Sequence, residues 1–162
     1  MADTQYTLHP IGRVVVNEGG FALQVDEAYR PALIELEGFS HITVLWWAHL
    51  LDDPMFREMT IAERAYRDAP VKIGVFATRS PVRPNPIGVT PVAVISVDIE
   101  SGIVQVPYVD AEDGTPILDI KPYHPSVDRI RDVRTPDWCA TWPQWYEDSA
   151  TFDWGAVFEN AQ

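Results

Sequence analysis

Short segments rich in valine, isoleucine and aromatic residues follow one another along the chain, and glycine, proline, asparagine and aspartate separate them. Residues of these types favour β-strands that are bounded by turns. The pattern predicts six strands, namely PIGRVVV (10–16), FALQV (21–25), HITVLWWAH (41–49), VKIGVFAT (71–78), VTPVAVISVDI (89–99) and GIVQVPYV (102–109).

Two further segments have a pattern that is typical of helices. AYRPALIELEG at 28–38 is closed by Gly38, and TIAERAY at 60–66 is more polar. Because so little helix lies between the strands, a parallel βαβ design is disfavoured. We therefore predict a mainly β fold, a closed antiparallel β-barrel with short flanking helices.

The segment 41–49 is apolar on both of its alternating faces. Side chains at 41, 43, 45, 47 and 49 point one way, and those at 42, 44, 46 and 48 point the other. A strand of this kind needs cover on both sides, which predicts a central position in the sheet.

The composition is that of an ordinary globular protein of 162 residues, 46% of them hydrophobic and 22% charged. The longest apolar run is too short to span a bilayer, and the N-terminus lacks the basic and apolar regions of a signal peptide. A single cysteine, Cys139, excludes a disulfide within the chain. We expect a cytoplasmic protein with no membrane partner.

The formal net charge of -12 argues against a nucleic-acid partner, but the charges are unevenly distributed. Seven of the 12 lysines and arginines lie between 71 and 135, together with eight of the 24 acidic residues. The tail after Pro136 carries four of the six tryptophans, which favours an aromatic packing surface, and a surface that stacks nucleic-acid bases is the alternative. We predict a domain at 1–135 and an aromatic extension at 136–162 that packs on the barrel or on a dimer partner.

The segment FATRSPVRPNPIG at 76–88 combines three prolines with two arginines. Each proline fixes its own φ and drives the preceding residue toward an extended conformation. Arg79 and Arg83 are therefore held in a stiff loop, and an arginine fork can bind a carboxylate or phosphate through two hydrogen bonds. The alternative is a rigid connector whose arginines pair with the surplus acidic residues.

Several common sites are missing from the sequence. None of the nine glycines forms a GxG, so the dinucleotide and phosphate loops that depend on it are not expected. His9, His41, His49 and His124 lack HxH or HExxH spacing, and no metal site is expected.

The loop FATRSPVRPNPIG, together with ELEGFSH at 35–41 and DGTPILDIKPY at 113–123, resembles the TrmO (TsaA-like) family. The resemblance covers about Leu8 to Asp128. It implies an S-adenosyl-L-methionine-dependent methyltransferase with a β-barrel core, which works as a homodimer. The implied reaction is methylation of N6 of threonylcarbamoyladenosine beside the anticodon of tRNA.

The same resemblance implies cofactor contacts at four places. They are His49 and Leu50 at a strand end, Arg79 in ATRSP, Val89 after PIG, and the turn formed by Gly114, Thr115, Pro116 and Ile117.

Methyl transfer from a sulfonium needs an in-line geometry and no protein nucleophile, so positioning supplies most of the catalysis. The acceptor nitrogen also loses a proton, and Asp119, Asp128 and His124 are candidate acceptors. We assign Asp119, Lys121 and Asp128 as catalytic residues, and a structural ion pair between Asp119 and Lys121 is the alternative. Arg83, Asn85, Lys121 and Tyr123 are the expected substrate contacts.

Two departures from the family remain. Bacterial members carry a proline-arginine-glutamine segment in the first loop, which NEGGFALQVDEAYR at 17–30 lacks, and many members have an additional C-terminal domain. A small-molecule methyltransferase on the same scaffold and a non-catalytic S-adenosylmethionine-binding module are the alternatives.

Overall fold

Nine short strands and two single-turn α-helices form the regular structure of residues 5–159, which are the residues that this computed structural model describes. The strands are β1 (Gly12–Asn17), β2 (Gly20–Val25), β3 (His41–Trp47), β4 (Ile61–Glu63), β5 (Lys72–Gly74), β6 (Ile87–Ala93), β7 (Ser96–Asp98), β8 (Ile103–Val106) and β9 (Pro116–Pro122). The helices are α1 (Pro54–Arg57) and α2 (Pro125–Asp128). Turns of 3₁₀ helix lie at Glu27–Leu33, Leu36–Gly38, His49–Leu51, Val75–Ala77, Asp137–Cys139, Tyr146–Thr151 and Trp154–Ala156.

The chain divides into two compact units. The first is formed by the described parts of Met1–Asp52 and Asn85–Arg129, and the second by those of Asp53–Pro84 and Ile130–Gln162. The first unit contains a seven-stranded sheet in the order β6-β3-β9-β1-β2-β8-β7. Every neighbouring pair in that sheet is antiparallel.

The predicted closed barrel is wrong, because the sheet is open. Its edge strands are β6 and β7, and within residues 5–159 no ladder joins them to each other. The backbone N–H of Val94 donates to Ser40 O, whereas that of Ile95 donates to Gln105 O, so the chain changes partner between these residues. The run at 89–99 is therefore not one strand. It supplies first one edge of the sheet and then the other, and a ladder between β6 and β7 never forms.

The core of the first unit lies on one face of the sheet. Ile42 and Val44 of β3 are fully buried, Trp46 nearly so, and the residues between them are only half-buried. The buried set also includes Val14, Leu23, Val25, Leu33, Leu36, Ala48, Val92, Val104, Val106, Val109 and Ile117. The predicted position of β3 between two neighbours is confirmed, because it pairs with β6 on one side and β9 on the other.

Both predicted helices are wrong in detail. The segment 28–38 forms two 3₁₀ turns, since Pro31 cannot donate a backbone hydrogen bond and Glu35 adopts a left-handed φ of 68°. The segment 60–66 contains strand β4, which pairs with β5. The prediction also missed β9, whose sequence begins and ends with proline.

In the second unit, an aromatic cluster forms around Tyr66. Its ring stacks on the ring of Trp138, with the centroids 5.2 Å apart. It also meets the ring of Trp142 edge-on, with the centroids 5.0 Å apart. The N–H of Arg67 donates to Val157 O at 3.0 Å, so the end of the tail runs beside this segment. These contacts lie within one compact unit, and the division into domains at 1–135 and 136–162 stays a prediction.

Gly88 is required by packing. It pairs with Trp46 across the β3–β6 ladder, and a Cβ at this position would collide with the indole ring. The indole Nε1 donates a hydrogen bond of 2.9 Å to Thr90 Oγ1, which holds the ring over the glycine.

Replacing Gly88 with alanine should lower the free energy of unfolding by about 1–3 kcal/mol, because the added methyl group displaces Trp46. Urea denaturation followed by tryptophan fluorescence measures this change. Gly38→Ala is the matched control, since its Cβ would meet nothing within 4 Å. Equal stability of the two variants would contradict the packing role.

Candidate functional site

The register of β3 brings three chain segments to one end of the sheet. Trp47, the last residue of β3, pairs with Ile87, the first residue of β6, and Trp46 pairs with Ile117 near the start of β9. Because these pairs are antiparallel, the end of β3 and the starts of its two neighbours meet. Three of the four predicted cofactor contacts follow or begin these strands, so they lie at the same end of the first unit. The fourth, Arg79, belongs to the second unit.

His49 and Leu50 lie in the 3₁₀ turn that follows β3. The backbone N–H of Ala48 donates to Pro86 O at 2.8 Å, which ties the start of this turn to the segment before β6. His49 is half-buried, whereas Leu50 is 68% exposed. The turn therefore offers an imidazole and an accessible apolar side chain at the sheet end.

The turn at 114–117 presents mainly its backbone. Gly114 has a left-handed φ of 77°, and no atom lies within 4 Å of where a Cβ would be. Thr115 and Ile117 are buried, while Pro116 is half-buried. Since Thr115 O accepts from Val14 N and Gly114 N donates to Val14 O, strand β1 holds the turn in place.

Val89 and Asp119 share the solvent face of the sheet. Both pair with Leu45, one from β6 and the other from β9, and directly opposite residues lie on the same face. Val89 is 41% exposed. The predicted cofactor contact Val89 and the predicted catalytic residue Asp119 thus flank one leucine.

Asp119 and Lys121 form an ion pair, with Lys121 Nζ 2.7 Å from Asp119 Oδ2. The other oxygen, Oδ1, accepts the N–H of Ile120 at 2.9 Å. The hydrogen bond with Asp119, and then its negative charge, raise the pKa of Lys121 against a smaller effect of desolvation. Lys121 is therefore a cation at neutral pH and can donate hydrogen bonds but cannot accept a proton.

Asp128 and His124 cap the helix α2. The backbone N–H of His124 donates to Asp128 Oδ2 at 2.7 Å, and the N–H of Ser126 donates to His124 Nδ1 at 3.2 Å. Both residues are exposed. Their observed contacts stabilise the single turn of α2.

Lys121 and Tyr123 lie toward the opposite end of β3. Lys121 pairs with Thr43, and the N–H of Tyr123 donates to His41 O at 3.0 Å. The Tyr123 ring also meets the His41 ring edge-on at 6.4 Å. Among the predicted catalytic residues on β9, Asp119 is thus closer in register than Lys121 to the end that carries the cofactor contacts. Asn85 is exposed just before β6, at that same end.

The second unit carries the arginines of the proline loop. Arg79 is exposed, and Arg83 is half-buried. Nη1 of Arg83 lies 3.4 Å from both Thr78 O and Ser80 O, and its Cζ lies 5.7 Å from the centroid of Phe76. Phe76 is the first residue of the segment FATRSPVRPNPIG, but it was not predicted as a functional residue. The strand-like sequence around it does not indicate that its side chain is exposed.

Among residues 5–159, no group of three or more histidine, cysteine, aspartate or glutamate side chains has the arrangement of a metal site. None of the helices in the described chain is long and apolar enough to cross a membrane.

Comparison with known families gives an independent result. The sequence model of the tRNA-methyltransferase O N-terminal domain matches residues 4–129. A probable S-adenosyl-L-methionine-binding protein of Methanothermobacter thermautotrophicus is 35% identical over 145 residues, which cover 80% of this chain and 98% of that protein. The tRNA (adenine(37)-N6)-methyltransferase of Escherichia coli is 39% identical over 100 residues, covering 60% of this chain and 42% of the enzyme.

Solved structures agree with the sequence match. TrmO from Pseudomonas aeruginosa superposes with a TM-score of 0.61 and 27% identity, over 81% of this chain and 62% of that one. The chain thus spans less than two thirds of the solved TrmO and less than half of the Escherichia coli enzyme.

Replacing Asp119 with asparagine should lower the pKa of Lys121, because the hydrogen-bonded anion that favours the protonated amine is lost. Because the pKa of Lys121 is raised in the folded state, the ion pair stabilises the fold at pH values below the ordinary pKa of lysine. This stabilisation disappears as the pH rises through the raised pKa. Nuclear magnetic resonance (NMR) titration of the Lys121 side chain measures the change. Glu112→Gln, which removes an exposed carboxylate from the turn before β9, is the control, and an equal shift in both variants would contradict the specific pair.

Proposed function

The chain belongs to the tRNA-methyltransferase O family, and we propose that it uses S-adenosyl-L-methionine to methylate N6 of an adenine in tRNA. The observation that carries this proposal is the meeting, at one end of the strands β6, β3 and β9, of three segments that hold predicted cofactor contacts. A ligand at that end contacts residues that lie far apart in the sequence.

The residues at this sheet end fit the cofactor chemically. Leu50 and Val89 are exposed apolar side chains, and the open space at Gly114 leaves its backbone accessible. Apolar walls with a few backbone donors and acceptors suit an adenosyl group. His49, Leu50, Val89 and residues 114–117 of the first unit would hold it. Arg79, in the second unit, stays a candidate contact for the carboxylate of its amino-acid part. The bound cofactor supplies a methyl group on a positively charged sulfur.

The protein contributes orientation and proton removal. The acceptor N6 gains a methyl group and loses a proton, and a positioned carboxylate can accept that proton. We assign this role to Asp119, since its register position beside Leu45 is nearer the proposed cofactor residues than Lys121 is. The observed helix-capping contact of Asp128 favours a structural role for that residue.

The proposed acceptor is threonylcarbamoyladenosine beside the anticodon. Its threonyl group ends in a carboxylate, which matches a lysine or arginine cation. No ion pair to a carboxylate of residues 5–159 occupies Arg83, whereas Lys121 already pairs with Asp119 at 2.7 Å, so Arg83 is the better candidate for this contact. Asn85 adds a hydrogen-bonding group at the cofactor end, whereas Tyr123 lies toward the opposite end of β3 and stays a predicted substrate contact.

We further propose a homodimer that acts in the cytoplasm, where the tRNA substrate is found. The apolar side chains of Leu45 and Val89 on the solvent face of the sheet support a contact between copies. A non-catalytic cofactor-binding module is the second candidate, because the archaeal relative is named only as an S-adenosylmethionine-binding protein.

Calorimetry with S-adenosylmethionine tests the cofactor site. Arg79→Ala should weaken binding by about 10- to 100-fold, since a charge-assisted hydrogen-bonded pair contributes roughly 1.5–3 kcal/mol. Arg67→Ala is the control, because it removes the same charge from an exposed position in the same unit. Undiminished binding by the Arg79 variant would remove Arg79 from the site.

Incubation with unmethylated tRNA and S-adenosylmethionine tests the reaction. Mass spectrometry of the digested nucleosides should detect one added methyl group on N6 of threonylcarbamoyladenosine. Affinity for tRNA should fall as salt rises, because lysine and arginine contacts to phosphate release counterions. Cofactor binding without turnover would favour the non-catalytic module.

A further inference from the structure

Phe76 is an exposed aromatic residue in the 3₁₀ turn Val75–Ala77 of the second unit. Its neighbour Val75 is 3% exposed and Thr78 is 7% exposed, whereas Phe76 itself is 78% exposed. Isolated apolar residues are common on protein surfaces, so exposure alone indicates nothing. The position of Arg83 distinguishes this phenylalanine from the others.

Arg83 places a planar cation over the Phe76 ring. The 5.7 Å between its Cζ and the ring centroid falls within the range of a cation–π contact. Its Nη1 lies 3.4 Å from the carbonyl oxygens of Thr78 and Ser80, which limits the directions that the guanidinium can take. Within the described chain the contacts of Arg83 are with carbonyls and a ring, and its charge is not neutralised by a carboxylate.

The backbone that carries both side chains is braced. Thr78 Oγ1 donates to Val75 O at 2.8 Å and accepts the N–H of Ser80 at 3.2 Å. Ser80 Oγ then accepts the N–H of Val82 at 3.2 Å. Because Pro81 and Pro84 also fix the backbone, the ring and the guanidinium are held before any ligand arrives.

We propose that Phe76 and Arg83 form a stacking platform for an unpaired nucleotide of the tRNA loop that contains the acceptor adenine. The proposal rests on the proposed function and adds a substrate contact, Phe76, to it. Unpaired RNA bases stack on aromatic rings and on arginine guanidinium planes. A base in a duplex has both faces covered, so the platform selects single-stranded nucleotides.

The chemistry of the pair favours RNA over an apolar protein partner. An apolar partner would leave the desolvated Arg83 charge uncompensated, which is unfavourable. A nucleotide supplies a flat π-system for the ring and an anionic phosphate for the cation. Stacking on the platform depends on Phe76, whereas the proposed contact with the threonyl carboxylate of the substrate depends on the charge of Arg83. Variants of the two residues therefore distinguish these contacts.

Steady-state methylation of tRNA by three variants of the full chain tests the platform. Phe76→Ala should raise the KM for tRNA by about 5- to 100-fold, which is the range expected for loss of one stacked base. Phe76→Trp keeps a larger ring and should restore the KM to within about threefold of the unaltered value, since every aromatic face can stack. Val71→Ala, which truncates a 56% exposed apolar residue of the same unit, should leave the KM unchanged.

Two further measurements separate stacking from charge and from misfolding. A tRNA stem-loop with 2-aminopurine next to the acceptor adenine should lose fluorescence on binding the unaltered protein and keep it with Phe76→Ala. The salt dependence of binding should keep its slope in Phe76→Ala, because no phosphate contact is removed. Affinity for S-adenosylmethionine should be the same in all variants, which also shows that they are folded.

An unchanged KM in Phe76→Ala overturns the platform while leaving the proposed function intact. A raised KM that Phe76→Trp fails to restore also overturns it, since the ring would then matter for shape and not for stacking. Absence of tRNA methylation by the unaltered protein contradicts the proposed function itself.

Discussion

The hydrogen-bond register of β3 between β6 and β9 is the constraint on which the candidate site depends. The side-chain period of a strand is two, so a shift of one residue would move every side chain to the opposite face. The core face of β3 carries Ile42, Val44 and Trp46, and the seating of Trp46 on Gly88 fixes the pairing with β6. The same register brings His49, Val89 and the turn at Gly114 to one end of the sheet.

Sequence reasoning could predict local features and the motif residues, but not the partners of each strand. The strand at 41–47 was readable, but its buried face was not, because both faces are apolar in the sequence and only that of Ile42, Val44 and Trp46 is buried. Strand β9 was not readable, since Pro116 and Pro122 mark it as a turn; proline is tolerated at its two ends. The prediction of a closed barrel was wrong, because closure depends on whether β6 and β7 pair side by side, and no local sequence signal encodes that pairing.

The ionic contacts show how a strongly acidic chain can still offer cations to an RNA. Arg64 pairs with Glu159 and Lys72 with Glu63, so part of the positive charge is neutralised locally. Arg83 contacts carbonyl oxygens and the Phe76 ring, and these neutral partners leave its charge intact. The proline motif predicted a stiff cationic loop, whereas the ring beside it became apparent only in three dimensions. Likewise, Asp119 and Lys121 were candidates from the motif, and their pairing required the structure.

Backbone NMR of the full chain titrated with S-adenosylmethionine tests the sheet-end site most directly. The amide signals of Leu50, Val89 and Ile117 should shift together and saturate with one affinity, because the register brings their segments to one place. The amides of His41 and Tyr123, toward the opposite end of β3, should stay unchanged. Shifts confined to His41 and Tyr123, or the absence of any shift at the three sheet-end amides, would contradict the account.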